Sequence, residues 1–489
     1  MNFISKAFIE FFTAVAIGLR VAPGLLFRQA LLLIASLWFY ASFKPAYLLV
    51  LATPVLIDYF CAIRIQAGVA AKVRKSWLAG GVASNLLLLA YFKYANFFLA
   101  NIALLFRAAP RHLEIVLPLG ISFFTLKSLS YLIDVYRGDL PACRSLWRFA
   151  LFVSYFPDLI AGPIVRASIF LPQLDRPLRP SWRNTTTGCQ MILLGVTKKL
   201  LIADQMAIFV DPVFAAAGIY SPLTVWSAAI AYSLQIYCDF SGYSDIAIGV
   251  SKIIGIDLPE NFNMPYLAVS PVDFWRRWHI TLSKWLRDYL YFALPASRAK
   301  PWHRYRNAVI TFLLCGLWHG ASWTFVCWGA LHGLGLVATH WWNARRVSRG
   351  RAPGRSFGVL LGCWLATYLF VLSTWVLFRA PSFSAALSVL GKMAGLAPGG
   401  VRWLYSPFLL ALLIVIVAHG IGIMAARRAT AAGVRRWVRT AFRTRFSRLS
   451  GVYVLLRPSF LGAFLIASWI LAVLLFGATG ANPFVYFQF

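Results

Sequence analysis

Apolar residues run along this chain in blocks of roughly twenty, separated by short basic or proline- and glycine-containing segments. The clearest blocks are 356–378, 403–425 and 459–478. Each can cross a hydrocarbon core of ~30 Å, which takes about 20 helical residues. Further blocks lie at 29–43, 46–64, 77–106, 113–136, 188–210, 222–240 and 307–343. Together they predict an all-α polytopic membrane protein with about 11–13 membrane-embedded helices, some short or re-entrant. The first twenty residues share part of a signal peptide's profile, with Ala14-Val15-Ala16 resembling a cleavage site. Glu10 and a single Lys6 make a poor n-region, so a retained first helix is the expectation. There is no internal repeat, heptad array or low-complexity tract. The chain reads as a single integral-membrane domain over 1–489, with a core at 113–345 and C-terminal helices over 356–489.

Composition agrees with the pattern. Hydrophobic residues make up 60% of the 489 residues, well above a soluble enzyme. The formal charge of +32 raises nucleic-acid binding as a possibility, but the positives sit in loops between blocks rather than on a basic domain. The positive-inside rule accounts for them. Two runs dominate, 345–355 and 427–448, separated by one pair of spans, which puts both on one face, expected to be cytoplasmic. Each such cation near anionic headgroups contributes ~1 kcal/mol to association with membrane lipid. The seven cysteines show no CxxC spacing, no two histidines stand at i,i+4, and there is no HExxH. A metal site is therefore not expected. GxSxG and GxxxxGK[ST] are also missing, so neither a serine elbow nor a tightly bound nucleotide cofactor is expected.

The acids are unevenly placed. Eight of the fifteen fall between Asp204 and Asp288, and none follows. Chemistry in the C-terminal two-fifths must use His, hydroxyls, Arg or backbone, or borrow from 204–288. Within "QIYCDFSGYSDIAIG" (235–249), Asp239 and Asp245 face different ways on a helix, and Ser241-Gly242 suggests a break. An intramembrane acid is either functional or paired with Arg or helix-end N–H groups, and both readings stay open. The segment "VSPVDFWRRWHITLSKWLRDYLYF" (269–292) starts with Ser270 as cap, Pro271 in the first turn and Asp273 three after the cap, with an Asp273–Arg277 pair. Trp275, Trp278, Leu282, Trp285, Leu286 and Tyr289 form one apolar stripe, while Arg276, Arg277, Lys284 and Arg287 are too many charges for a lipid-facing span. This predicts an amphipathic helix at the interface, with His279 at the edge of its buried stripe.

His319 lies in "GLWHGASW" (316–323), twelve residues past Asn307, or roughly 18 Å along a helix. With 297–306 read as a basic cytoplasmic loop, His319 falls past the midplane and His279 near the inner face. The two rings would line two parts of one passage. A buried neutral histidine suits general-base work on an alcohol or thiol, and Gly316 and Gly320 allow a substrate or helix to come close. His332 faces elsewhere on a continuous helix and reads as a packing residue unless the helix breaks at Gly329; His112, His340 and His419 read as hydrogen-bonded structural residues, and His303 sits in the basic loop. Two function classes fit at this stage: an acyl-transfer enzyme, and a transporter or flippase without transfer chemistry. The absence of matching halves favours the enzyme.

"DFWRRWHITLSKWLRDYLYF" (273–292) and "GLWHGASWTFVCWGALHG" (316–333) resemble the two histidine segments of the membrane-bound O-acyltransferase (MBOAT) family, in its bacterial alginate O-acetyltransferase branch. "LPLGISFFTLKSLSYLIDVYRG" (117–138), "FPDLIAGPIVR" (156–166), "PENFNMPY" (259–266) and "NPFVYFQF" (482–489) extend the likeness over nearly the whole chain. It departs at "YFALPASR" (291–298), where the family commonly has a glycine-containing turn, and it lacks the usual "VFSS" opening. The resemblance implies a multi-helix bundle around a funnel or tunnel approached from both faces of a bacterial inner membrane. It also implies acetyl groups taken from acetyl-CoA at the cytoplasmic side and delivered to an exported polysaccharide such as alginate. The implied partners are a periplasmic SGNH-type acetyltransferase and the exopolysaccharide synthesis complex. It assigns His319 as catalytic base and His279 as its helper, with Trp275, Trp278, Trp318 and Asp288 shaping the passage.

Overall fold

The computed structural model describes residues 2–109, 111–176, 178, 181–295, 301–350, 356–431, 460–478 and 484. Among them every regular element is a helix, with one isolated bridge between Tyr220 and Val401 in place of any sheet. Buried charges sit within an apolar core, and the surface is apolar as well. Lys127, Asp158, Lys199, Asp204 and Asp239 are buried, while Leu410, Leu413, Leu474 and Leu475 are exposed. Such a surface is stable only in lipid. Among the described residues, three helices are long and apolar enough to cross a membrane: Tyr47–Ala67, Ala71–Leu105 and Phe357–Arg379. Shorter apolar helices such as Leu25–Ala41 accompany them. The first predicted helix is present as Lys6–Val21.

Several interior charges are paired. Lys127 and Asp158 meet at 2.8 Å, both fully buried. Asp239 and Asp245 do face different ways, as their spacing requires, but lysines and not arginines meet them. Lys199 bridges Asp239 and Asp204, each at 2.8 Å, and Lys198 holds Asp245 at 2.6 Å. Both lysines come from a wide π-turn, Lys198–Ala203, inserted between the Trp182–Thr197 and Asp204–Ala215 helices. The expected break at Ser241-Gly242 does not occur. Pro222–Ile254 is one continuous helix of 33 residues. Gly242 instead permits close packing: a Cβ there would stand 2.7 Å from the Gly195 carbonyl oxygen, and one on Gly195 would stand 2.4 Å from that of Gly242. Small residues of this kind let two membrane helices cross at backbone distance.

The 269–292 segment is amphipathic as predicted, with Arg276, Lys284 and Arg287 exposed and Trp275, Trp285 and Tyr289 buried. It is not one helix lying at the interface. Pro271–Arg277 stops, His279 adopts φ +41° in the left-handed region, and Ile280–Trp285 resumes before a π-turn over Leu286–Tyr291. The break turns the chain into the interior, and His279 is fully buried rather than near a face. The predicted cap and its i,i+4 pair are both present: Ser270 Oγ accepts from the Asp273 N–H, and Arg277 Nε meets Asp273 at 3.1 Å.

The 297–306 stretch is not all loop. Pro301 opens a helix that runs to His319, returned by Trp323–Ser348 as an antiparallel hairpin. Residues 296–300, and with them the end of the departing 291–298 stretch, lie outside the described residues, as do 351–355 and 432–448 of the Arg-rich stretches. The hairpin crosses at Gly316, whose Cβ would fall 2.2 Å from the Phe325 carbonyl oxygen, and at Gly329, where the distance to Phe312 oxygen is 2.1 Å. These glycines admit a helix, not a substrate. Gly316→Val is expected to lower stability by about 3 kcal/mol through overpacking against backbone. The check is the yield of monodisperse, detergent-extracted protein, and a wild-type yield would refute this account of the crossing.

Candidate functional site

Three segments converge where the Pro301–His319 helix ends. The first is that helix end itself. Trp318 and His319 pack ring to ring at 4.9 Å, and His319 is caged further by Trp328 at 5.1 Å and Phe378 at 5.3 Å. The second is the turn Leu117–Gly120, which lacks regular structure because Pro118 and Gly120 (φ +75°) delay the helix Ile121–Arg137. The predicted span at 113–136 therefore starts only at Ile121. The third is a π-turn, Ala90–Tyr94, inside the long Ala71–Leu105 helix. A cavity of about 80 Å³ lies among them, lined by Lys93, Ser122, Phe123, Ile160, Trp318 and His319 together with the 117–121 backbone. His319 thus stands at the wall of this space. That space has room for a few waters, each needing ~10–15 Å³.

The π-turn re-aims two side chains at the helix end. Lys93 Nζ donates to the carbonyls of Trp318 (2.6 Å) and His319 (3.0 Å) and to Ser122 Oγ (3.4 Å). Tyr94 O–H donates to the Leu317 carbonyl at 3.0 Å. The last carbonyls of a helix have no intrahelical partner, and a cation at that end also interacts favourably with the negative end of the helix dipole. Lys93 and Tyr94 therefore fix the last turn that carries His319. Lys93→Met is expected to destabilise the protein by about 1.5–3 kcal/mol and to reduce transfer. Thermal unfolding in detergent alongside an acyl-transfer assay checks this. Neither quantity moving would remove Lys93 from the site.

His279 approaches from the other side. Its ring packs on Phe240 (4.7 Å), Phe123 (6.4 Å) and Trp318 (6.4 Å), so the two histidines flank one indole. They are not half a membrane apart, as helical spacing implied, because the chain breaks at Trp278–His279 and carries the ring inward. His279 Nδ1 lies 3.0 Å from Asn261 Oδ1, and Nε2 has no hydrogen-bond partner among the described residues. A buried nitrogen left so costs about 1–3 kcal/mol, which marks it for a role beyond packing. His332 contrasts with it: Nδ1 accepts from Trp275 Nε1–H at 3.2 Å, and Nε2–H donates to Thr374 Oγ1 at 3.0 Å. Both its nitrogens are used, so His332 is a packing residue as its spacing suggested. His419 bonds the Val415 carbonyl at 2.8 Å, while His112 and His340 are exposed.

The four flanking candidates separate in space. Trp318 lines the cavity. Trp275 and Trp278 do not. Trp275 packs between Phe312, Trp328 and His332, and Trp278 stacks on Phe274 and Trp375, all in the aromatic core behind the histidines. Asp288 lines a second cavity of about 420 Å³ with Asp134, Arg137, Asp139, Arg166 and Tyr289. At this charged rim, outside the membrane-spanning helices, burial pushes the Asp288 carboxyl up. Hydrogen bonds from Arg287 and Arg166 outweigh that and hold it below the usual carboxylate range. The two cavities sit at opposite ends of the Ile121–Arg137 helix, whose 17 residues span ~25 Å.

The sequence of the chain has counterparts among known proteins. The sequence profile of the membrane-bound O-acyltransferase family matches residues 140–346. The chain is 43% identical over 393 residues to a probable alginate O-acetylase, AlgI, of Pseudomonas aeruginosa, covering 79% of this chain and 73% of that one. The chain belongs to the membrane-bound O-acyltransferase family. A peptidoglycan O-acetyltransferase of Helicobacter pylori is 39% identical over 421 residues, 81% of this chain and 78% of that one. A teichoic acid D-alanyltransferase of Bacillus subtilis is more distant, 28% identical over 278 residues, 54% of this chain and 69% of the relative. The MBOAT protein is thus an O-acyltransferase, and a transporter without transfer chemistry finds no support.

Proposed function

We propose that this MBOAT protein acetylates an exported polysaccharide, alginate being the favoured acceptor, with acetyl-CoA as donor on the cytoplasmic side of the bacterial inner membrane. The observation that carries the reading is the cavity bordering His319 at one end of the Ile121–Arg137 helix, with the Asp288 cavity at the other. The relatives named for alginate and peptidoglycan acetylation support the acetyl group and the glycan acceptor. His319 takes the proton of an acceptor hydroxyl. The oxygen attacks the thioester carbonyl, the C–S bond breaks, and the thiolate leaves with the proton returned by the imidazolium. His279 flanks the same indole and assists, while Trp318 forms the wall that both rings share. The Arg-rich stretches 345–355 and 427–448 stay cytoplasmic, and a periplasmic SGNH-type acetyltransferase with the exopolysaccharide synthesis complex completes delivery.

Inverted membrane vesicles test this. With the protein in the membrane, labelled acetyl-CoA outside, and polyuronate plus the periplasmic partner enclosed, alkali-labile label is expected on the enclosed polymer. Label that reaches the polymer equally well from acetyl-CoA enclosed on the same side would overturn the transmembrane route. No label under either condition would overturn the donor.

A further inference from the structure

We propose that Asn261 is a positioning residue of the transfer reaction, holding His279 in the tautomer that carries its proton on Nδ1 and leaves a lone pair on Nε2. Resting on the acyl-transfer reading above, it adds a residue to which neither the motif histidines nor the cavity lining points.

The tautomer follows from a chain of hydrogen bonds whose direction is set at its far end. The backbone N–H of Ile164 can only donate, and it does so to Thr281 Oγ1 at 3.0 Å. The Thr281 hydroxyl turns its own proton to Asn261 Oδ1 at 2.9 Å, and the Thr281 backbone N–H also points to that oxygen at 3.3 Å. A backbone donor on the atom establishes which end of the Asn261 amide is oxygen. The other end donates from Nδ2 to Ser244 Oγ at 3.3 Å. With Oδ1 acting only as acceptor, His279 Nδ1, 3.0 Å away, must be the donor. Nε2 is then the basic nitrogen, and no described residue occupies it.

Asn261 also supports the backbone that aims the ring. Its carbonyl accepts from the Ile280 N–H at 2.9 Å, and two residues on the Asn263 N–H donates to the Arg277 carbonyl at 2.9 Å. These bonds clasp the chain on both sides of the left-handed His279. The network joins four stretches that the sequence sets apart: Ile164 in 156–166, Ser244 in 235–249, Asn261 in 259–266 and His279 in 273–292. Partners that fix a ring's orientation and tautomer typically change activity 10–100-fold when removed.

The experiment is nitrogen-15 NMR of the full-length protein in nanodiscs with labelled histidine, His279 being assigned by its loss in His279→Gln. The expected wild-type signal is a protonated Nδ1 and an unprotonated Nε2. A protonated Nε2 in the wild type would overturn the proposal, whether or not any variant folds. Asn261→Leu is expected to lose the single tautomer and to lower kcat about 10–100-fold with little change in donor KM. Asn261→Asp, which still accepts from Nδ1–H, is expected to restore both. Wild-type kcat in Asn261→Leu, or no rescue by Asn261→Asp, would count against it. If His279→Gln and His319→Ala both transferred at the wild-type rate, the acyl-transfer site itself would be misplaced, a failure the tautomer spectrum distinguishes from its own.

Discussion

His319→Ala is expected to abolish acetylation, with a loss of about 10²–10⁴ in rate, while insertion and folded yield stay normal. Among the residues that line the first cavity, His319 is the titratable one at the end of the Pro301–His319 helix, apart from Lys93, whose three donors are spent on Trp318, His319 and Ser122. No carboxylate lines that cavity, so removing the imidazole leaves nothing there to accept a hydroxyl proton. The alanine leaves additional space inside an aromatic cage of Trp318, Trp328 and Phe378 and does not disturb the hairpin crossing at Gly316 and Gly329. Measuring glycan-bound acetate against membrane-inserted protein separates the two effects. Full acetylation by the variant would exclude proton transfer at this position.

Much of this was legible because the membrane makes each polar residue conspicuous. His319 stands out in "GLWHGASW", and Asp239 and Asp245 in an apolar run, since burial in lipid demands a reason. The same signal was present at Lys93, a lone cation inside the 77–106 block, and it would have led to the site had it been weighed like the acids. Other features leave no mark in composition. Nothing in "RRWHIT" announces a break, since it contains neither glycine nor proline; the clasp by Asn261 and Asn263 produces it through long-range contacts. The π-turns at Ala90–Tyr94 and Lys198–Ala203 likewise arise where side chains must reach a neighbouring helix. Gly242 shows the converse hazard. Beside a serine it signals a break by local rules, yet a facing Gly195 makes it a packing contact within a straight helix.

His279→Asn is the sharpest test of the second ring. At φ +41°, alanine would carry a backbone penalty of roughly 1–2 kcal/mol that obscures any functional loss, whereas asparagine tolerates the left-handed region. The variant keeps a polar group near Asn261 but supplies no basic nitrogen. Transfer is expected to fall about 10–100-fold without vanishing, because His319 and its cavity remain. The measurement is initial rate of glycan acetylation at saturating donor, with circular dichroism and thermal unfolding as controls on the break. If the rate is unchanged, the unpartnered Nε2 has no part in transfer, and His279 is reduced to a plug between Phe123, Phe240 and Trp318. If His279→Asn instead loses as much as His319→Ala, the two rings act as one unit. The double variant should then be no worse than either alone, since residues that share a single step do not contribute additively.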